Sequence, residues 1–205
     1  MNTKAKGIWL ASLVILPLGA ALAPAQEKKP AEASAPKDDP MMAKMKEFGA
    51  VGAAHKALES RVGKWNFEMR MYQPGQTEAE PTKGSGEAKW IMGGRFVEET
   101  ITCDFMGEPF QGRGTTGYDN IKKKYVSTWV DNMGTGIYYS VGTYDAGTKT
   151  FAFAGESPDV MAGKYVKSRW VEKWTDNDHY VSQGFKPGPD GKEFMEMEIR
   201  CTRAK

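Results

Sequence analysis

From Trp65 to Arg203 the sequence alternates apolar and polar residues in short runs bounded by Gly, Asp, Asn or Pro. In "WNFEMRMY", Trp65, Phe67, Met69 and Met71 share one face and Asn66, Glu68 and Arg70 the other, the pattern of a half-buried strand. Comparable runs fall near 65–72, 84–93, 95–105, 110–118, 124–131, 137–144, 149–155, 165–174, 179–186 and 193–203. The connections, among them "QPGQTEAEPT", "MGGR", "NMGTG" and "GPDGK", carry turn chemistry and leave no room for a crossover helix. Consecutive strands joined so tightly must pair antiparallel. About ten of them in one domain would leave two long edges, which closure removes. The predicted fold is therefore all-β, an antiparallel up-and-down barrel of about ten strands.

"FQGRGTTGYDN" has Gly112, Gly114 and Gly117 at the G-x-G-x-x-G spacing of a dinucleotide loop. That loop works only where it opens a helix, whose N-terminal N–H groups receive the phosphates. Here a Tyr118-Asp119-Asn120 turn follows and then the strand-like "KKYVSTWV", so the glycines are assigned to a strand. Gly112 and Gly114 lie two apart and share a face, removing side-chain bulk where the strand bends or another group approaches.

The first residues, "MNTKAKGIWLASLVILPLGAALAPAQ", place Lys4 and Lys6 before an apolar stretch and Ala23-Pro24-Ala25 at a small-x-small cleavage site, a secretory signal peptide over 1–25. Pro17, Gly19 and Pro24 break the run short of the roughly 20 continuous apolar residues a membrane span needs, so no span is expected after cleavage. The expected location is periplasmic or extracellular. Losing Lys4 and Lys6 takes the formal net charge from +2 to zero, and with it the basic face a nucleic-acid partner would require.

Residues 26–40, rich in Pro, Ala, Lys, Glu and Asp, are expected to form a disordered linker. The remainder, 41–205, has the size of one domain. It begins with a helical segment over about 41–61, where Met41, Met45, Phe48, Val51, Leu58 and Val62 recur at mostly three- and four-residue steps and Gly49 and Gly52 weaken the middle. Cys103 and Cys201 are far apart in sequence, which leaves their pairing open. With no C-x-x-C and no His cluster, no metal site is expected.

"VGKWNFE", with Gly63-x-Trp65 after a helix and opening the first strand, resembles the start of a lipocalin or calycin barrel. The resemblance implies that Trp65 closes one barrel end and that an Arg of the last strand, Arg203, packs across it. Over about His55 to Arg203 the chain also resembles a bacterial family of unknown function, DUF1579. The segments that carry this are "HKALESRVGKW", "WIMGGRFVEE", "FMGEPFQGRGTTGYDNIKKKYVSTWVDNMGTG" and "GPDGKEFMEMEIRCTR". It implies a fold and carries over no catalytic residue or cofactor. Fatty-acid-binding proteins and haem-binding nitrobindins are similar only in outline.

No catalytic constellation is found: there is no G-x-S-x-G, and Ser127, Ser140, Ser168 and Ser182 lie in strand patterns. His55 is assigned to packing or capping at the closed end, and His179 to a solvated turn. The aromatics point to binding. Trp90, Trp129, Tyr138, Trp170 and Trp174 are the expected liners of a pocket for a small hydrophobic or amphipathic ligand, with Glu99 and Arg95 as polar anchors. The same rings could simply fill the interior. Two alternatives stay open: a hydrolase or isomerase using inward carboxylates and tyrosines, and a solid barrel acting through its outer face.

Overall fold

The computed structural model describes residues 39–205; the expected signal peptide and all but the last two residues of the expected linker lie outside the described residues. Two short helices, α1 (Pro40–Phe48) and α2 (Ala53–Lys56), and a 3-10 turn (Ala57–Arg61) precede ten strands. These are β1 (Gly63–Met71), β2 (Thr82–Ile91), β3 (Phe96–Phe105), β4 (Glu108–Asp119), β5 (Lys124–Asp131), β6 (Tyr138–Asp145), β7 (Thr150–Asp159), β8 (Lys164–Trp174), β9 (His179–Pro187) and β10 (Glu193–Arg203). Each strand pairs antiparallel with its neighbours in the chain, and β1 pairs with β10, so the sheet closes into a barrel without edges.

Strand boundaries move where the backbone has its own preferences. β2 ends at Ile91, short of the predicted 93, because Met92, Gly93 and Gly94 take positive φ (50°, 66° and 82°) and make the turn. β7 runs on to Asp159, past the predicted 155, through Pro158. Its pairing with β6 ends at Ser140↔Gly155, whereas its pairing with β8 continues to Asp159↔Lys164. Pro158, which has no N–H to give, falls in this singly paired stretch. The short β6 thus leaves a notch in the barrel wall at the end remote from the helices.

Cross-strand packing reuses one device. Phe67 faces Gly84, Phe96 faces Gly117, Trp129 faces Gly114, Phe153 faces Gly142 and Trp170 faces Gly184. At each of these glycines an added Cβ would press on the facing ring. Flat rings lie across the neighbouring strand only because no side chain rises there.

The α2 and 3-10 segment covers one barrel end. Leu58 and Phe151 are fully buried, with Trp65, Phe67, Val97, Tyr125 and Trp174 among the residues around them. Tyr125 donates its hydroxyl to Ala54 O at 2.9 Å, and Trp65 Nε1 donates to Arg61 O at 2.8 Å. His55 is buried against Tyr118, its Nδ1 accepting from the Gly52 N–H at 3.1 Å, and burial holds its pKa below the usual value. α1 is capped by Asp39, whose Oδ1 accepts from the Met41 N–H at 2.8 Å, yet it buries none of its residues. Its expected apolar face, Met41, Met45 and Phe48, is exposed.

The first and last strands are latched together at this end. The guanidinium of Arg203 lies 4.2 Å from the Trp65 ring and donates to Val62 O at 2.7 Å, Ser60 O at 3.0 Å and Asn177 O at 2.8 Å. Gly63 makes room for it: φ is +132°, and a Cβ there would overlap Arg203 Nη1.

Candidate functional site

Alternation carries the inward faces of the strands from the packed end into a cavity of about 360 Å³. Ser127, Ser140, Ser168 and Ser182, one each from β5, β6, β8 and β9, border it with Gly86 and Gly155. Small inward residues leave the space that the rings of the closed half fill. Trp65, Phe67, Trp129, Tyr138, Phe153 and Trp170 supply apolar walls. The interior is therefore not solid. At the mouth the lining includes Asp131, Tyr139, Ser157 and Pro158, so the notch between β6 and β7 opens into the cavity. Turns at this end expose Met106, Met133, Ile137, Val160 and Met161.

The floor is ionic. Arg61 reaches inward from the 3-10 turn; its Nη2 donates to Glu172 Oε2 at 2.6 Å and its Nη1 to Thr116 Oγ1 at 3.2 Å. Its guanidinium carbon lies over Phe151 and Phe153, 5.2 and 5.8 Å from their ring centroids. Arg61 Nε is buried without a hydrogen-bond partner among the described residues. Glu172 is completed by Trp174 Nε1, which donates to Oε1 at 2.8 Å. Thr116 Oγ1 is also 3.0 Å from Ser127 Oγ.

Glu99 stands beside this pair with no hydrogen bond or ion pair of its own among the described residues. It is half-buried and lines the cavity. Burial pushes its pKa up; nearby Arg61 pulls it back, and Glu172 raises it further. Tyr180 and Cys201, both at the cavity wall, are raised in turn, the tyrosine well above its usual value and the thiol to about 12, mainly by burial. Cys103 and Cys201 are free thiols. Cys201 is thus a buried, protonated apolar neighbour rather than a nucleophile.

Of the residues expected at the site, Glu99, Trp129, Tyr138 and Trp170 line the cavity together. The indole of Trp129 lies over Gly112 and Gly114 and donates from Nε1 to Asp131 Oδ2 at 2.9 Å, so these inward glycines seat a ring and do not mark open space. Trp174 belongs to the packed end, stacked on Tyr180 at 4.4 Å and buttressing Glu172. Trp90 packs at the same end and donates to Glu59 Oε2 at 2.8 Å. Arg95 is outside the cavity, in the β2–β3 turn, donating to Met92 O at 3.0 Å. His179 is exposed beside Asp176 at 2.9 Å.

Arg61 and Glu172 are not among the site residues expected from the sequence. Arg61 precedes the strands and carries no inward parity, whereas Glu172 shares the face of Trp170 and Trp174 and was visible by that parity. The four serines were equally legible as inward gaps.

A family model described as a protein of unknown function (DUF1579) matches residues 50–203. The chain belongs to this family. No curated protein matches the chain. Among solved structures it is similar to a redesigned β-barrel, at 11% identity and a TM-score of 0.37, covering 76% of this chain and 99% of that one. Among the described residues no three or more His, Cys, Asp or Glu are grouped to hold a metal ion, and no helix is long and apolar enough to cross a membrane.

Proposed function

We propose that this DUF1579 barrel binds a small amphipathic ligand in its open half, apolar body against the indoles and polar head toward the floor. The observation that carries the reading is the aromatic-walled cavity of about 360 Å³ ending on Arg61, Glu99 and Glu172. A space of this size lies at the lower end of small-molecule sites, and its few converging polar groups suit orientation of one head group. Exposed apolar turns at the mouth and the β6–β7 notch support passage of an apolar body from solvent. The sequence of residues 1–25 supports action after export, in the periplasm or outside the cell, which sequencing the N-terminus of the protein recovered from a cell fraction tests.

Titration of purified protein with compact amphiphiles, followed by tryptophan fluorescence and calorimetry, tests the binding reading. Saturable quenching that Trp129→Phe or Trp170→Phe diminishes is expected; an indifferent spectrum and no heat across a chemically varied set would reject it. A second reading, a hydrolase or isomerase using Glu99 as general acid or base, is favoured by the raised proton affinity of that carboxyl inside a cavity. Turnover of ester or enolisable substrates that vanishes in Glu99→Gln would establish it.

A further inference from the structure

The charges around the cavity are unequal. Six carboxylate residues border it, Glu87, Glu99, Asp131, Glu156, Glu172 and Glu196, against one cationic side chain, Arg61. Glu87 and Glu156 have the outward parity of β2 and β7, since Gly86, Ala88, Phe153 and Gly155 point in. Arg61 engages Glu172 at 2.6 Å, and Lys186 engages Glu196 at 2.7 Å. Glu99 and Asp131 remain without a cationic partner among the described residues, Asp131 accepting only from Trp129 Nε1 and the Met133 N–H. Among the described residues no free cation is left inside to receive an anionic head. A carboxylate or phosphate would have to take Arg61 from Glu172 and strand that acid in the floor.

Glu99 and Trp129 converge. From the position of a Cβ on Gly114, Glu99 Oε1 is 2.9 Å away and Trp129 Cε3 is 3.1 Å away. A carboxylate beside an indole, in a space also walled by Trp65, Tyr138, Phe153 and Trp170, is a pairing that attracts a positive charge from two sides. We infer that the ligand is an organic cation, an amphiphile with an ammonium head that docks between Glu99 and the face of Trp129 while its apolar body lies along Trp170 and Tyr138. This rests on the binding reading above and names the ligand class. Docking gives an acid without a cationic partner an ion pair, so the arriving cation favours the ionised form of Glu99 and lowers its pKa.

Four probes with one body and different heads test it: 3-phenylpropyltrimethylammonium, 3-phenylpropylamine, 3-phenylpropanol and 4-phenylbutyrate, titrated calorimetrically near neutral pH. Both ammonium probes should bind about tenfold tighter than the alcohol, with the carboxylate weakest. Glu99→Gln should weaken the quaternary probe about tenfold and move the alcohol less than about twofold, which loss of packing alone would not do. In the wild type the quaternary probe, whose charge does not titrate, should bind more tightly as pH rises through the raised Glu99 pKa. The groups facing that carboxylate are Arg61 from the 3-10 turn, Glu172 from β8, Tyr180 from β9 and Cys201 from β10. The wild-type ranking and pH profile stand even if Glu99→Gln fails to fold. Equal affinity for alcohol and ammonium, or preference for the carboxylate, overturns the cation and leaves ligand binding in place. Binding of none of the four removes both.

Discussion

The two halves of the barrel interior are built from the same alternating strands and differ in one respect, the size of what points inward. Toward the helices the inward positions hold Tyr125, Phe151 and Trp174, with Leu58 entering from the 3-10 turn, and the space is full. Toward the mouth the same strands present Ser127, Gly155 and Ser168, and the space is open. The contrast shows that a barrel needs dense packing over only part of its length. The other part is free to hold a ligand, because the backbone ladder and the outer face keep its strands together.

The comparison breaks most readily at the closed end. Phe151→Ala should cost about 3–5 kcal/mol in urea unfolding, since a fully buried ring leaves a void that the rigid ladder cannot collapse. A cost near that of a mouth substitution would mean the two halves share the load. Arg61→Leu should cost about 3 kcal/mol by stranding Glu172, with most of it recovered in Arg61→Leu/Glu172→Leu. A double variant no more stable than the single would show that the pair does not act as a unit.

Gly114→Val probes the boundary between the halves. Its side chain would press on Glu99 and Trp129, so a loss of about 1–3 kcal/mol is expected together with displaced tryptophan emission and lost probe binding. Glu99 gives the open half a pH signature. In the fold it keeps its proton beyond the value of 4.5 at which the unfolded chain releases it, so the native state holds more protons. Stability from this group is therefore lost as pH rises from about 4.5 through the raised folded pKa. The urea midpoint of Glu99→Gln should decline less than that of the wild type across this window; parallel profiles would contradict the raised value. Ser168→Ala, at the cavity wall, should shift stability by no more than about 0.5 kcal/mol, and a larger change would place it in the packed half.

Much of this division was legible in the sequence. Period-two alternation and tight turns specify antiparallel order, and closure follows from the number of strands, so the barrel does not depend on any single contact. The Trp65 and Arg203 latch is what the lipocalin resemblance implies, carried by the pairing of the first and last strands. Parity failed at turns and beyond the strands. Arg95 sits where Met92, Gly93 and Gly94 reverse the chain at positive φ, and a turn has no inward side. Arg61 enters the interior by the docking of a 3-10 turn on the barrel end, a tertiary event without a local period. The four serines lie in strand patterns without a catalytic motif, and at inward parity they mark the missing bulk. α1 shows the reverse, a helix period with no surface of the barrel beneath it.

Closure by the last strand has a kinetic consequence. Arg203 bonds to the carbonyl of Val62 across a separation of 141 residues, and β1 takes its second neighbour only when β10 arrives. Until then a chain emerging N-terminus first carries an unpaired β1 flank beside the eight consecutively paired strands β2 to β9. Such long-range ring closure predicts slow, late folding, with chains that lack β10 prone to self-association. A chain refolded from denaturant, with its final strand available from the start, would by contrast begin its search for this pairing without passing through that exposed intermediate.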